Sequence, residues 1–404
     1  MAWPAEHAGR GAPRAVVLVA SASRHAGGLY TSVRRLWGEL AGRGWVVDVH
    51  SLRDAASDED RPGWGALSVH YHRRVGPGRF GYSPTLVSGV RASVGEGRRA
   101  GGRVLVDSHG LWMFSDLAGY RAQRELQVAR VAHPHGMLEP GALRHSRAAK
   151  AVARLLWQAS SLREATALRA TSVREEASIR AAGYQGTVFV IPNGIDVPAQ
   201  DAERPEPASE SSVRRLVFLG RIHPIKGLPL LLRAWGRLAD RFPEWRLGIA
   251  GPDQLGHREE LRALAGQLGV ERRCDFVGAV HGPAKESLLR QAELLVLPSY
   301  SESFGLVVAE ALAAGIPVVT TTGTPWRRVE EKGCGWWVEP EVAALTAALG
   351  TALSQPASSL RAMGRRGRAW MAAEFSWSAI AAVADGAFRS VLADPPGGGR
   401  RPPG

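Results

Sequence analysis

Two glutamates stand in an otherwise apolar stretch, "SYSESFGLVVAEALAAGIPVVTTTGT" (299–324). Glu302 and Glu310 are separated by seven residues. A buried carboxylate is costly unless something donates hydrogen bonds to it, so Glu310 either reaches a surface or meets a ligand. Glu302 falls in the loop after the strand-like "LLVLP", and the helix that follows is predicted over Gly305–Ala314. The amides of Phe304, Gly305 and Leu306 sit at its start, where backbone N–H groups and the helix dipole favour an anion. Glu310 lies four residues after Leu306 on the same face. A carboxylate there can accept hydrogen bonds from vicinal hydroxyls such as those of a ribose. Two cations complete the set. Arg221 and Lys226 in "FLGRIHPIKG" lie just past another predicted strand, bracketed by Gly220 and Gly227. A guanidinium fork and a compact ammonium together suit a diphosphate. Each residue also has a plainer reading: solvated loop cations, a solvated loop carboxylate at Glu302, and a salt-bridged core carboxylate at Glu310.

"GRIHPIKG" followed by "SYSESFGLVVAEALAAGIPVV" resembles the retaining GT-B glycosyltransferases of family 4, whose signature is the E-x7-E element. "IPNGID" (191–196) is another of their marks. The likeness is specific over the C-terminal half and looser over the N-terminal half. It implies an α/β GT-B fold, two Rossmann-like parallel-sheet domains facing a cleft, and transfer of a hexose from a UDP- or GDP-linked donor to an acceptor hydroxyl. It implies that Glu310 holds the ribose, that Glu302 contacts the donor sugar, and that Arg221 and Lys226 neutralise the leaving diphosphate beside the Phe304–Leu306 amides. No cofactor and no metal are expected. "HGMLEPGAL" and "GTPW…GCGWWVEP" (323–340) resemble a subgroup of bacterial surface-polysaccharide (O-antigen and exopolysaccharide) transferases. Many of those relatives carry Trp where this chain has Gly141, so acceptor contacts are expected to differ.

In the N-terminal half, Gly27 and Gly28 follow the first predicted strand and open a helix, a place for backbone contact with a phosphate or acceptor. They are counted with the donor-binding residues. The pair is not G-x-G-x-x-G, so no dinucleotide fingerprint is present. His25 beside it has no assigned role. His109 and His135 each end a predicted strand, and His133 lies two residues before His135, on the same side of an extended strand. The family resemblance places its reacting-centre histidine at His135. His109, His133 and Lys150 are acceptor-side candidates. A zinc reading of the histidines fails on spacing and on the want of a carboxylate or thiolate to complete a set. Asp58 and Asp60 in "SDEDR" read as a solvated loop rather than a metal-binding D-x-D.

The elements that must position these residues alternate short apolar runs with amphipathic stretches, the pattern of parallel sheets with crossover helices. The first half shows strands at 14–20, 45–51, 66–72, 102–109, 128–135, 167–172 and 187–194, with helices at 146–163 and 173–182. The second half shows five strands and helices at 228–242, 257–268, 283–291, 341–353, 358–374 and 378–392. The expected domains are 14–196 for the acceptor and 213–374 for the nucleotide sugar, with a Pro-rich acidic linker over 197–212, a returning crossover helix over 375–394, and loose tails at 1–13 and 395–404. Ligands of such sheets bind at the carboxyl ends of the strands, where strand order reverses.

The chain has 404 residues and a formal net charge of +13. Residues 14–196 hold 25 Lys and Arg against 15 Asp and Glu, and 213–372 hold 21 against 15. The more basic first half suits a glycan or lipid-diphosphate-linked acceptor at an anionic membrane surface. No apolar run is long enough to span a bilayer, and the N-terminal stretch lacks the apolar core of a signal peptide. Cys274 and Cys334 match no zinc or disulfide spacing and read as small buried residues. A cytoplasmic protein, peripheral at the inner membrane face, is the expectation. A UDP-sugar epimerase would lack the combination of R-x4-K and E-x7-E. A nucleic-acid-binding protein would rest on charge alone, without a recognition motif.

Overall fold

The computed structural model describes residues 11–76, 78, 80–144, 146–198 and 213–393. Most of the expected linker, the first ten residues and the last eleven lie outside these. The described chain forms two compact units, one of residues up to Gly194 together with the helix Trp377–Ala393, the other Ile195–Ser376.

The first unit is built on a seven-stranded sheet, entirely parallel. Its strands are β1 (Arg14–Ser21), β2 (Val46–Leu52), β3 (Ser68–His72), β4 (Val104–His109), β5 (Ala129–His133), β6 (Ala167–Ala170) and β7 (Thr187–Val190). The order is β3-β2-β1-β4-β5-β6-β7, so strand order reverses between β1 and β4. β1 and the first half of β4 are apolar on both faces because helices cover both, and β4 ends in the buried polar residues Asp107, Ser108 and His109. Two of these helices, Pro84–Arg99 and Phe114–Leu126, pack Leu86, Val90, Val94, Phe114, Ala118 and Ala122 against Val16, Leu18 and Val106. Neither stands out as a helix in the sequence, since Gly, Ser and Arg interrupt their apolar period. The opposite face takes the helices Gly28–Ala41 and Trp377–Ala393. There Trp37 stacks on Phe388 at 5.5 Å, and Trp45 Nε1 donates to Asp385 at 2.6 Å.

The second unit holds a six-stranded parallel sheet. Its strands are β8 (Arg214–Leu219), β9 (Trp245–Ala250), β10 (Cys274–Gly278), β11 (Leu294–Leu297), β12 (Val318–Thr321) and β13 (Gly335–Val338). The order is β10-β9-β8-β11-β12-β13, reversing between β8 and β11. β13 is one strand more than the sequence suggested. "GWWV" reads as a loop because Gly333 and Gly335 flank Cys334, yet it pairs in register with β12. Cys274 and Cys334 are buried free thiols, pushed up by burial to about 12 and about 11, so they are inert packing groups.

The expected helix at 146–163 is present, but its middle, Arg154–Gln158, is a π turn, and the run continues to Glu164. β5 stops at His133 rather than 135. Pro134 cannot donate to the sheet ladder and His135 is left-handed at φ 52°. Asp58 and Asp60 also differ from expectation. They form a short helix, Ser57–Asp60, in which Asp58 takes Arg53 Nη1 at 2.7 Å and Asp60 takes Arg24 Nη2 at 2.6 Å. Asp58 stays exposed to solvent as expected, whereas Asp60 is largely withdrawn and satisfied by Arg24.

Candidate active site

Both strand-order reversals carry the chemistry-bearing residues. In the second unit, the loop after β8 holds Arg221 and Lys226, and the loop after β11 holds Glu302. Backbone hydrogen bonds lace the neighbouring loops together. Tyr300 N donates to Ile225 O at 2.9 Å, Ile222 N to Pro252 O at 2.9 Å, and Glu302 N to Gly323 O at 2.9 Å. Close approach requires glycine at two of these places. A Cβ on Gly227, at φ 67°, would lie 2.1 Å from Pro298 O, and one on Gly323 would lie 2.1 Å from Ser299 O.

This lacing brings Lys226 Nζ onto Glu302 Oε1 as an ion pair, and Ser299 Oγ donates to the same oxygen at 2.6 Å. Arg221 is held differently, donating from Nη1 to Gln254 Oε1 at 3.0 Å beyond β9. The helix after Glu302 begins at Leu306 and runs to Ala313, with left-handed Gly305 as its N-cap. Phe304 is buried. Its ring packs against Trp326 and Phe375, and its carbonyl accepts from Trp326 Nε1 at 2.5 Å. That contact fixes the entry to the helix and leaves the first amides at its start. Glu310 has a partner that sequence reasoning missed: Lys285 Nζ, from the helix Gly282–Gln291, lies 2.5 Å from its Oε1. Thus both carboxylates are neutralised by lysines, and both lysines carry ammonium donors that an incoming anion could share.

In the first unit, Gly27 at φ 58° caps the helix that opens at Gly28. A Cβ on Gly27 would meet nothing within 4 Å, while its own N–H donates to Arg24 O at 3.0 Å. His25, with Ser21, Asp54 and Arg74, lines a small cavity of about 240 Å³ after β1. Asp54 is held by Ser21 Oγ at 2.6 Å and Ser23 Oγ at 2.8 Å. Lys150 donates to Ala142 O at 2.5 Å, tying its helix to the preceding one, and burial lowers its pKa.

The three histidines come together, organised by a residue with no sequence signal of its own, Asp107 on β4. Its carboxylate accepts from His109 Nε2 at 2.9 Å, from Trp37 Nε1 at 2.8 Å, and from His133 Nε2. His109 Nδ1 lies 2.9 Å from His135 Nε2. Burial alone would raise the Asp107 carboxyl, but the His133 and His109 imidazoles hold it well below the usual carboxylate range. Burial lowers His133 to about 4, and lowers His135 well below its ordinary value. With ionised Asp107 as acceptor, His109 carries a proton on Nε2, and its Nδ1 shares a proton with His135 Nε2. The loop beyond is held by Glu175, which accepts from Gly136 N at 2.5 Å and Thr171 N at 2.7 Å. Arg169 donates to Ile191 O at 2.9 Å and Pro192 O at 2.7 Å, which explains the placing of "IPNGID".

The candidate ligand atoms of His109, His133 and His135 lie within 4.8 Å of one another, so this is the place among the described residues where an ion could be held. The convergence departs from the spacing argument, which found no carboxylate nearby. Asp107 is there, bonded to His109 and His133. Both nitrogens of His109, Nε2 of His133 and Nε2 of His135 are spent in this hydrogen-bonded chain, while the buried His133 Nδ1 has no partner among the described residues.

Comparison with known proteins agrees with this architecture. Residues 199–370 match the family model for glycosyl transferases group 1, and residues 27–194 match a glycosyl transferase 4-like domain. The chain is 31% identical over 401 residues to D-inositol 3-phosphate glycosyltransferase of Segniliparus rotundus, covering 93% of this chain and 87% of the relative. Among solved structures it is similar to sucrose-phosphate synthase from Thermosynechococcus elongatus, with a TM-score of 0.74 at 23% identity over 95% of this chain and 99% of that one. Anabaena HepE in complex with UDP and glucose superposes with a TM-score of 0.73 at 19% identity, over 93% and 99% of the two chains. The matched sequence models, the full-length relative and the two doubly wound sheets together make this chain a member of the family 4 GT-B glycosyltransferases.

Proposed function

We propose that this glycosyltransferase moves a hexose from a UDP- or GDP-linked donor to a hydroxyl of a glycan or lipid-linked glycan, with retention of configuration, in cell-surface polysaccharide assembly. One observation carries the donor half of this reading: Lys226 and Glu302 are joined at the reversal between β8 and β11, next to a helix start whose N-cap, Gly305, makes no side-chain capping bond. Support for a nucleotide sugar comes also from the similar HepE, whose structure holds UDP and glucose.

In the reaction, the bond between the anomeric carbon and the phosphate oxygen breaks, and a bond from that carbon to the acceptor oxygen forms. The acceptor proton passes to the leaving phosphate oxygen, so a nucleoside diphosphate departs. Negative charge grows on the diphosphate. Lys226, Arg221 and the Phe304–Leu306 amides are preorganised donors for it, each such donor being worth about 3 kcal/mol in comparable sites. Glu302 faces the sugar and Glu310 the ribose hydroxyls. His135 is assigned to the reacting centre, with His109 and Asp107 holding its ring, and Gly27 and Gly28 offer backbone to the substrates. No metal is assigned a role.

The test is incubation with a panel of labelled nucleotide sugars, followed by NMR of the released or transferred sugar. One donor should be consumed, with the anomeric configuration kept. An inverted product, or no donor consumed, would contradict the reading.

A further inference from the structure

A cavity of about 820 Å³ in the first unit takes no part in the transfer chemistry. Small-molecule sites are commonly concave spaces of this size, apolar with a few placed polar groups. Its apolar walls are Leu138, Leu143, Leu162, Ile179 and the ring of Tyr184. They come from the stretch after His135, from the helical run Arg147–Glu164, and from the helix Val173–Ala181 with the turn that follows it.

The polar groups on these walls are one-sided. Arg154, Arg163 and Arg174 line the cavity, and Glu139 is the one carboxylate among the described residues that do. The neutral polar groups are turned to the protein. Gln158 accepts from Trp112 N at 2.7 Å and donates to Asp116 at 2.8 Å. Ser178 Oγ donates to Arg174 O at 3.3 Å, and Tyr184 Oη to Ala165 O at 3.2 Å. The groups left for a ligand are N–H donors. Arg163 spends one N–H of its fork on Ser160 Oγ at 3.3 Å. Trp112, which also lines the cavity, has a buried Nε1 with no partner among the described residues. A buried N–H without an acceptor is costly. Trp112 is moreover left-handed at φ 68°, rare for a bulky side chain, and strain of this kind gathers at ligand sites.

We propose that this cavity binds an amphipathic anion, a small molecule with an apolar body and a phosphate or carboxylate head. The body lies against Leu138, Leu143 and Ile179. The head takes the guanidinium forks of Arg154 and Arg163, which match such oxyanions in geometry and charge, and the N–H of Trp112. Charge complementarity selects this occupant: a cation would meet three arginines, and a neutral molecule would leave the forks unused. The place of the cavity gives binding a consequence. Leu138 and Glu139 continue the loop from His135, and Glu175, which accepts from Gly136 N, sits on the helix that supplies Ile179. An occupant would brace that loop. The consequence rests on the reading of His135 at the reacting centre. The binding itself needs neither donor nor turnover, so the two can fail separately.

Fluorescence titration of the full chain with anilinonaphthalene sulfonate, an amphipathic anion, tests it. Saturable binding to a single site is expected. Phenylnaphthylamine, the same rings without the charge, should bind about tenfold more weakly or worse. R154A/R163A should weaken the sulfonate dye by about tenfold or more. Ala177→Trp, which fills the cavity from an exposed helix position, should do the same with an unchanged melt. Leu255→Ser, at an exposed apolar position of the other unit, should leave the titration as it is. Bound dye should also slow amide hydrogen exchange over residues 136–143. Equal binding of the neutral dye, or an unchanged titration in either R154A/R163A or Ala177→Trp, would overturn the site. Unchanged exchange over 136–143 would overturn the bracing. Nucleoside diphosphate binding, measured in parallel, shows any failure of the transfer reading on its own.

Discussion

Lys226 and Glu302 form an ion pair with both side chains nearly withdrawn from solvent, at 13% and 12% exposure. The pair keeps a cation poised for a diphosphate without leaving it unpaired when the site is empty, since a lone buried charge is costly. Lys226→Ala removes the donor and leaves Glu302 facing the diphosphate uncompensated. Its kcat/KM should fall by about 100- to 1,000-fold, with an unchanged circular dichroism spectrum. Glu302→Gln should behave differently. It frees Lys226, so binding of the free nucleoside diphosphate should hold or tighten while kcat falls. Equal loss of both in Glu302→Gln would show that Glu302 serves only the fold.

Asp107 is a positioning residue for His135, acting through His109. Asp107→Asn can donate as well as accept, which permits the other tautomer of His109. A fall in kcat of about 100-fold is expected, within the range for disrupted acid–base geometry, with nucleotide binding by the second unit unchanged. Full activity would remove the histidine chain from the mechanism.

Four imidazoles that burial lowers, His50, His72, His133 and His135, set the pH dependence of the first unit. His50 is lowered to about 3 by burial, with His70 and His72 adding to it, and His133 is lowered to about 4 by burial. In the unfolded chain both titrate near about 6.5, so falling pH protonates the unfolded form first. Their contribution is whole above about pH 6.5 and is lost as pH falls, down to about pH 4 for His133 and about pH 3 for His50. Below that, Asp107, whose folded pKa is depressed, adds a further loss. Thermal melts should therefore drop between about pH 7.5 and pH 5, and His50→Gln should lessen the drop. A melt that rises on acidification would contradict this.

Gly323 touches no ligand in this account, yet it should matter. Its carbonyl holds Glu302 N at 2.9 Å, and a Cβ would lie 2.1 Å from Ser299 O. Gly323→Ala must push the Glu302 loop aside. Overpacking of this kind costs about 1–3 kcal/mol. The melt should fall accordingly, and turnover should fall more than tenfold, about what a misplaced catalytic group brings. Wild-type turnover would show that the loop adapts.

How far the sequence disclosed this depended on the range of each interaction. The doubly wound sheets were legible because fully apolar strands and amphipathic crossovers are local signals. Arg221, Lys226, Glu302 and Glu310 were legible through type and spacing, and the structure places the first two after β8 and the others after β11. Their partners were not. Lys285 sits on a polar helix 25 residues before Glu310, and Gln254 lies 33 residues beyond Arg221 in another loop. Asp107 hides in "VLVDSH", where a lone Asp in a strand carries no periodic signal. β13 was missed because β pairing overrides the loop-like glycines of "GCGWWV". Helix Pro84–Arg99 was missed because Gly89, Gly95 and Gly97 obscure its apolar face, although Gly89 and Gly97 are there for close packing against His72 and Val104.

The central claim is that the second unit grips a nucleoside diphosphate between lysine-held carboxylates and a helix start, with Glu310 on the ribose. Calorimetric titration of UDP, GDP and ADP into the wild type, Glu310→Ala and Lys285→Ala tests it most directly. One nucleotide should bind the wild type. Glu310→Ala should lose about tenfold or more in affinity, as expected for hydrogen bonds to a charged group, while Lys285→Ala should lose little because ribose hydroxyls can replace its ammonium. If no nucleoside diphosphate binds, or if Glu310→Ala binds as tightly as the wild type, the claim is contradicted.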